Sequence, residues 1–271
     1  MKYKIFDTAF KHTNNMGWHW KSKYGIQWYR GNDHYNTCFF IDASLGQVDN
    51  VKCNTKVAIV IEPPSIWSAS YEFVKANHHK FNYILTYSQE LISIDPNKFL
   101  YCPQDPPWIP FEDRRIYNKT KTLSIIASDK RQAPGHRLRH EVIARYGDRM
   151  DKFGCGFAPF KHPKTPMLAD YMFSLAIMNS DFDDYYTEIL TDMLAVGTVP
   201  IFWGTKNIGK YFNADGIIRF DDLDELGYII NSLNHDLYLS KMDAIKDNFN
   251  RVASKTVVED YIYERYPFLF K

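Results

Sequence analysis

Charge of one sign is the first thing this sequence lacks: 33 Lys and Arg stand against 32 Asp and Glu over 271 residues, a formal charge of +1. Binding nucleic acid calls for a surplus of cations to neutralise phosphates, so no nucleic-acid partner is expected. There is no run of about 18 apolar residues, so no membrane span is expected either. The opening stretch, MKYKIFDTAFKHTNN, lacks the apolar core of a secretory signal. Cysteine is scarce. Cys38, Cys53, Cys102 and Cys155 are scattered without a CxxC pair, a pattern of reduced thiols rather than of a disulfide framework or a zinc site. These absences lead to the expectation of a soluble, cytoplasmic chain. Repeats and low-complexity tracts are missing too.

What is present suits a folded protein. The chain is 45% hydrophobic and 16% aromatic, enough for a core and too apolar for disorder. At roughly 100–200 residues per domain it makes one large domain or two compact ones. Short apolar runs at 38–41, 57–61 and 83–87 read as strands covered on both faces, with a helix over 65–80 capped by Ser65. The proline-rich stretch 102–110 reads as a linker, because proline fixes φ and removes a donor. Beyond it, strands at 123–127, 171–178 and 199–203 alternate with helices at 137–146, 186–196 and 223–233, and a last helix spans 252–265. Such alternation predicts a parallel sheet with helices on its faces. The expected fold is α/β, two Rossmann-like domains facing each other across a cleft. Residues 1–115 form the first, with 251–271 packing back onto it, and 116–250 form the second.

The passage 164–220 carries the most chemistry. A buried strand ends near Asn179, a polar loop follows, and a helix starts near Tyr186. Loops of this kind offer unpaired backbone N–H groups to phosphates. A carboxylate on the first turn, Glu188, can accept hydrogen bonds from a ribose diol. The basic loop Ser128-Asp129-Lys130-Arg131, at the end of another strand, is either a solvated surface loop or placed to neutralise an anion. Glu62, in Glu62-Pro63-Pro64 at the end of an apolar strand, is placed to act as a base, since partial burial would raise its pKa.

These segments resemble the α-1,3-fucosyltransferases, glycosyltransferase family ten. The family pattern is roughly F-x-L-x-x-E-N, a variable loop, Y-V-T-E-K, an apolar helix, then V-P-I-Y-W-G. It corresponds here to Phe173-Ser174-Leu175, Met178-Asn179, Tyr185-Tyr186-Thr187-Glu188-Ile189 and Val199-Pro200-Ile201-Phe202-Trp203-Gly204. The likeness covers about residues 123–248. It implies a fold of the GT-B type and an inverting, metal-independent transferase that needs no cofactor. Its partners would be a nucleotide diphosphate sugar donor and an oligosaccharide or glycan acceptor. The implied donor-binding residues are Ser128, Lys130, Arg137, Asn179, Tyr185, Tyr186, Thr187 and Glu188, with Arg139 the near alternative to Arg137 for the arginine at the helix start. Glu62 matches the family's E-x-P glutamate as the base.

Two positions depart from the pattern. The family's glutamate is Met178 and its lysine is Ile189, so one cation is missing from the phosphate site. Either another cation substitutes or the donor differs, for instance a UDP-pentose as in a xylosyltransferase. A catalytically silent carbohydrate-binding protein is the other alternative. Asp181-Phe182-Asp183 has the form of a metal-binding DxD but falls in the family's variable loop, and His136 and His140 lack a third ligand, so no metal site is expected. Trp18, Trp20 and Trp28 are candidates to stack on an acceptor sugar.

Overall fold

A computed structural model of the chain describes residues 2–7, 21–31, 35–103, 106–154, 156–158 and 163–270. Trp18, Trp20 and Cys155 lie outside the described residues. The chain divides into two compact units, residues 1–106 with 256–271, and residues 107–255. The first crossing comes earlier than residue 115 for a physical reason. Trp108 and Ile109 donate their N–H groups to Asp192, and Arg114 donates to the carbonyls of Ala253 and Lys255, which ties this stretch to the second unit.

The N-terminal unit contains β1 (Lys2–Phe6), β2 (Gln27–Tyr29), β3 (Thr37–Ile41), β4 (Thr55–Val60), α1 (Pro64–Asn77), β5 (Tyr83–Thr86), α2 (Gln89–Ile92) and β6 (Phe99–Tyr101). Its strands form one parallel sheet in the order β2-β1-β3-β4-β5-β6. Every residue of β3 is buried, as continuous apolar strands in two-sided sheets require. Helix α1 starts at Pro64, ahead of Ser65. Proline at the first helical position has no N–H to leave unsatisfied, and Ser65 is exposed inside the helix instead of capping it. Trp28, on β2, is core: it is buried against Phe39 and donates its indole N–H to Glu259.

The C-terminal unit contains β7 (Lys121–Ile126), α3 (Pro134–Tyr146), β8 (Asp151–Phe153), α4 (Thr165–Leu168), β9 (Tyr171–Ile177), α5 (Glu188–Leu194), β10 (Val199–Trp203), β11 (Ile218–Arg219), α6 (Leu223–Ser232), α7 (His235–Ser240) and α8 (Met242–Val252). Its parallel sheet runs β11-β10-β9-β7-β8. All seven residues of β9 are buried, and its serine hydroxyl, on Ser174, is satisfied by Ser124 of β7 at 2.9 Å. At the amino ends of β7, β9 and β10, the Lys119 ammonium is buried and donates to the carbonyls of Ala169 and Val196 and to the Thr198 hydroxyl.

The expected terminal helix over 252–265 is two helices. α8 closes at Val252, and after a turn the chain enters α9 (Val258–Arg265), which belongs to the first unit. There Val258, Ile262, Leu269 and Phe270 share a core with Ile5, Trp28, Phe39 and Ile59. Among the described residues no helix is long and apolar enough to cross a membrane. Cys38, Cys53 and Cys102 are free thiols.

Candidate functional site

In the C-terminal unit the chain leaves β7 and β9 in opposite directions. β7 continues through α3 to the edge strand β8, whereas β9 continues through α5 to β10 on the other side. Where the strand order reverses, the loops beyond the carboxyl ends diverge and leave a crevice. A pocket of about 230 Å³ lies there, lined by Ser128 after β7, Arg139 of α3, Lys164 ahead of α4, Glu188, Ile189 and Asp192 of α5, and Trp108.

One wall is built on Asn179. Helix α3 abuts the exit of β9 so closely that a Cβ on Gly135 would stand 1.6 Å from the Met178 carbonyl oxygen, and the Gly135 N–H donates to Asn179 O at 3.0 Å. Only glycine permits that approach. Arg139, one turn on and buried, donates through Nε to the Ile177 carbonyl at 2.9 Å and through Nη2 to Asn179 Oδ1 at 3.0 Å. The Asn179 amide donates onward to the Tyr185 hydroxyl at 3.4 Å. His136 accepts the Ala133 N–H on Nδ1, which fixes its proton on Nε2, and its ring also bonds Asn179. Burial, with Arg139 and Lys130 nearby, lowers its pKa to about 4.

The opposite wall is charged. Lys164 is buried, with Nζ 2.8 Å from Asp192 Oδ2, 3.4 Å from Glu188 Oε1 and 4.7 Å from the centre of the Trp108 ring. Burial alone would lower the Lys164 pKa, but the two carboxylates outweigh it and hold it above the usual lysine value. The second Asp192 oxygen accepts the N–H groups of Trp108 and Ile109. Glu188 opens α5 behind Thr187, whose hydroxyl oxygen accepts the Ile189 N–H and whose O–H contacts Met178 Sδ.

The structure brings Ser128 and Glu188 into the pocket lining and Asn179, Tyr185 and Thr187 into the shell that supports it. It leaves three expected residues elsewhere. Arg137 is exposed and donates to the carbonyls of Arg131 and Gln132, because α3 starts at Pro134 and so turns position 139 inward, not 137. Lys130 is exposed. Tyr186 is buried between Tyr211 and Phe212, ring centroids 4.9 and 5.3 Å away. Asp181 and Asp183 are exposed, and His140 binds the Lys130 carbonyl while His136 is tied to Ala133. Among the described residues no three His, Cys, Asp or Glu gather as metal ligands. Glu62 belongs to the other unit, half-buried just past β4, with its N–H donating to Asp42.

Residues 116–251 match the model of glycosyltransferase family 10 (fucosyltransferase), C-terminal region. The chain belongs to this family. An α-(1,3)-fucosyltransferase, FucT, of Helicobacter pylori is 26% identical over 129 residues, 40% of this chain and 27% of that protein. GDP-fucose protein O-fucosyltransferase 3 of Xenopus tropicalis is 38% identical over 79 residues, 27% of this chain and 17% of that protein. The match therefore spans about a quarter or less of the length of these curated relatives. Crystal structures of an α1,3-fucosyltransferase, alone and with GDP-fucose, align with the whole chain at TM-scores of 0.63 and 0.62 and cover 88% and 89% of the solved chains. Identity is 15% and 16%, so the likeness is one of fold, the GT-B type with two parallel sheets.

Within the family 10 region, the pocket contains cations and anions that the motif does not include. Lys164 reaches Glu188 from 24 positions upstream, a contact no local spacing announces. Asp192 did carry a signal: it lies four residues after Glu188, on the same helix face, within an otherwise apolar helix. A carboxylate buried in such a helix requires a partner.

Proposed function

We propose that the chain transfers a sugar from a nucleoside diphosphate donor to a glycan hydroxyl, with inversion at the anomeric carbon and without a metal ion. The observation that carries this reading is the pocket where the strand order reverses, with fixed Glu188, Lys164 and Arg139 around it. Glu188 has one oxygen held by Lys164, and its second makes no hydrogen bond among the described residues, which leaves it to accept from a ribose hydroxyl. Arg139, Ser128 and the positive end of α3 stabilise the diphosphate as it departs with the electron pair of the broken bond. Glu62 takes the proton from the acceptor hydroxyl as its oxygen bonds the anomeric carbon. GDP-fucose is the first donor to test, because a solved relative of the same fold binds it. Ile189, apolar where the family pattern has lysine, makes a UDP-pentose the second.

The test is nucleotide release from GDP-fucose, UDP-xylose and other nucleotide sugars, with glycan acceptors, in EDTA. One donor is expected to turn over, with E62Q lowering kcat by about 10²–10⁴ at nearly constant donor KM, and E188Q raising donor KM. Activity lost in EDTA and restored by a divalent ion would overturn the metal-free reaction. Sugar binding with no turnover would make the chain a binding protein.

A further inference from the structure

The N-terminal unit holds a buried acid that the proposed reaction does not use. Asp42 follows β3 directly and adopts φ +38°, a left-handed backbone that a residue with a side chain takes only where its surroundings require it. In that conformation its carboxylate is held at three points. Oδ1 accepts the N–H of Ile61 at 3.2 Å and Oδ2 accepts the N–H of Glu62 at 3.3 Å, and the Ser70 hydroxyl of α1 also bonds it. The two amides are successive and lie where the chain leaves β4, on the strand next to β3. One buried side chain thus bridges neighbouring strands and grips the backbone on both sides of the peptide that carries Glu62.

We propose that Asp42 is a positioning residue for Glu62, its carboxylate clamping the Ile61 and Glu62 amides so that the Glu62 carboxyl stands at a fixed point beyond β4. The inference rests on the reading of Glu62 as the base. Such placement matters because a displacement of about 1 Å in a reacting group can cost 10²-fold in rate. The two acids also interact. Burial first, and the Glu62 charge second, raise the Asp42 pKa to about 8, against the opposing pull of its hydrogen bonds from Ile61, Glu62 and Ser70. The titratable groups facing it are Glu62, past β4, and Tyr71 of α1, which hydrogen-bonds Tyr87 at 2.8 Å and also senses Glu90 of α2.

The test compares wild type, D42N, D42G and E62Q in kcat, donor and acceptor KM, nucleotide affinity, thermal midpoint and the pH profile of kcat. D42G removes the clamp and takes the positive φ without strain; D42N keeps one acceptor oxygen. The expected order of kcat is wild type, then D42N, then D42G. D42G falls about tenfold or more, nucleotide affinity stays within about twofold, and the ionisation near pH 8 is absent from both variants. A merely structural role would lower the thermal midpoint and leave kcat per folded molecule and its pH profile unchanged, which would overturn the proposal. If D42G does not fold, D42N decides. Wild-type kcat in D42N with E62Q inactive overturns the role of Asp42 alone, whereas wild-type kcat in E62Q removes the base and this inference with it.

Discussion

At the scale of single residues, the choice between Arg137 and Arg139 shows what sequence reading can and cannot fix. Both are near the start of one helix, and two positions turn a side chain by about 200° around its axis. The basic character of the segment was legible. Which arginine faces the pocket depended on where α3 begins, and Pro134 sets that three residues earlier than the apolar pattern suggests. Arg139 is consequently buried on Asn179 and Arg137 is in solvent. R139A is expected to weaken nucleotide binding by about 10–100-fold, the loss of a charged hydrogen bond, and R137A to leave it within about twofold. Calorimetric titration with GDP checks both, and the reverse ranking would place the diphosphate on the outer face of α3. Lys164 was illegible for a different reason: its partners Glu188 and Asp192 lie on another element, and only the folded sheet brings them within reach.

At the scale of elements, the long strands were readable because burial on both faces imposes largely apolar runs, as in Val57–Val60 and Tyr171–Ile177. The shortest strands, β2, β6, β8 and β11, with two or three residues each, are too brief to show any period. Helix α5 begins at Glu188 rather than Tyr186 because Thr187 caps it and Tyr186 is drawn into an aromatic cluster. The seat of α3 has a pH signature. His136 has a folded pKa of about 4, below its ordinary value near 6.5. The unfolded chain therefore binds more protons between those values, and the fold loses stability as pH falls from about 6.5 toward 4. Thermal midpoints across this range should fall more steeply for wild type than for H136Q. Parallel curves would show that the imidazole is accessible to protons in the fold.

At the scale of the whole molecule, two parallel sheets were legible from alternating strands and helices, but the composition of each unit was only partly so. The second unit starts at Pro107 instead of residue 116, since Asp192 and Arg114 bind the backbone of Pro107, Trp108 and Ile109, contacts that leave no trace in a sequence. Ligand binding should register in that unit. Adding GDP is expected to raise the melting temperature and to slow amide exchange in residues 126–139 and 177–193, the two stretches that frame the pocket. Exchange slowed only in residues 2–103 would place the nucleotide on the other sheet and refute the assigned site.

The first unit is discontinuous, and that has a consequence for how the protein is made. Its core includes Val258, Ile262, Leu269 and Phe270, and Trp28 and Ser22 depend on Glu259 and Asp260 for their hydrogen bonds. On the ribosome, the early part of the polypeptide must wait, unfinished, while the intervening residues 107–255 are translated and able to fold. The half that emerges first is thus the half completed last: a nascent chain stalled shortly before residue 256 would carry all six strands of the first sheet but not the segment 258–270 that closes its core.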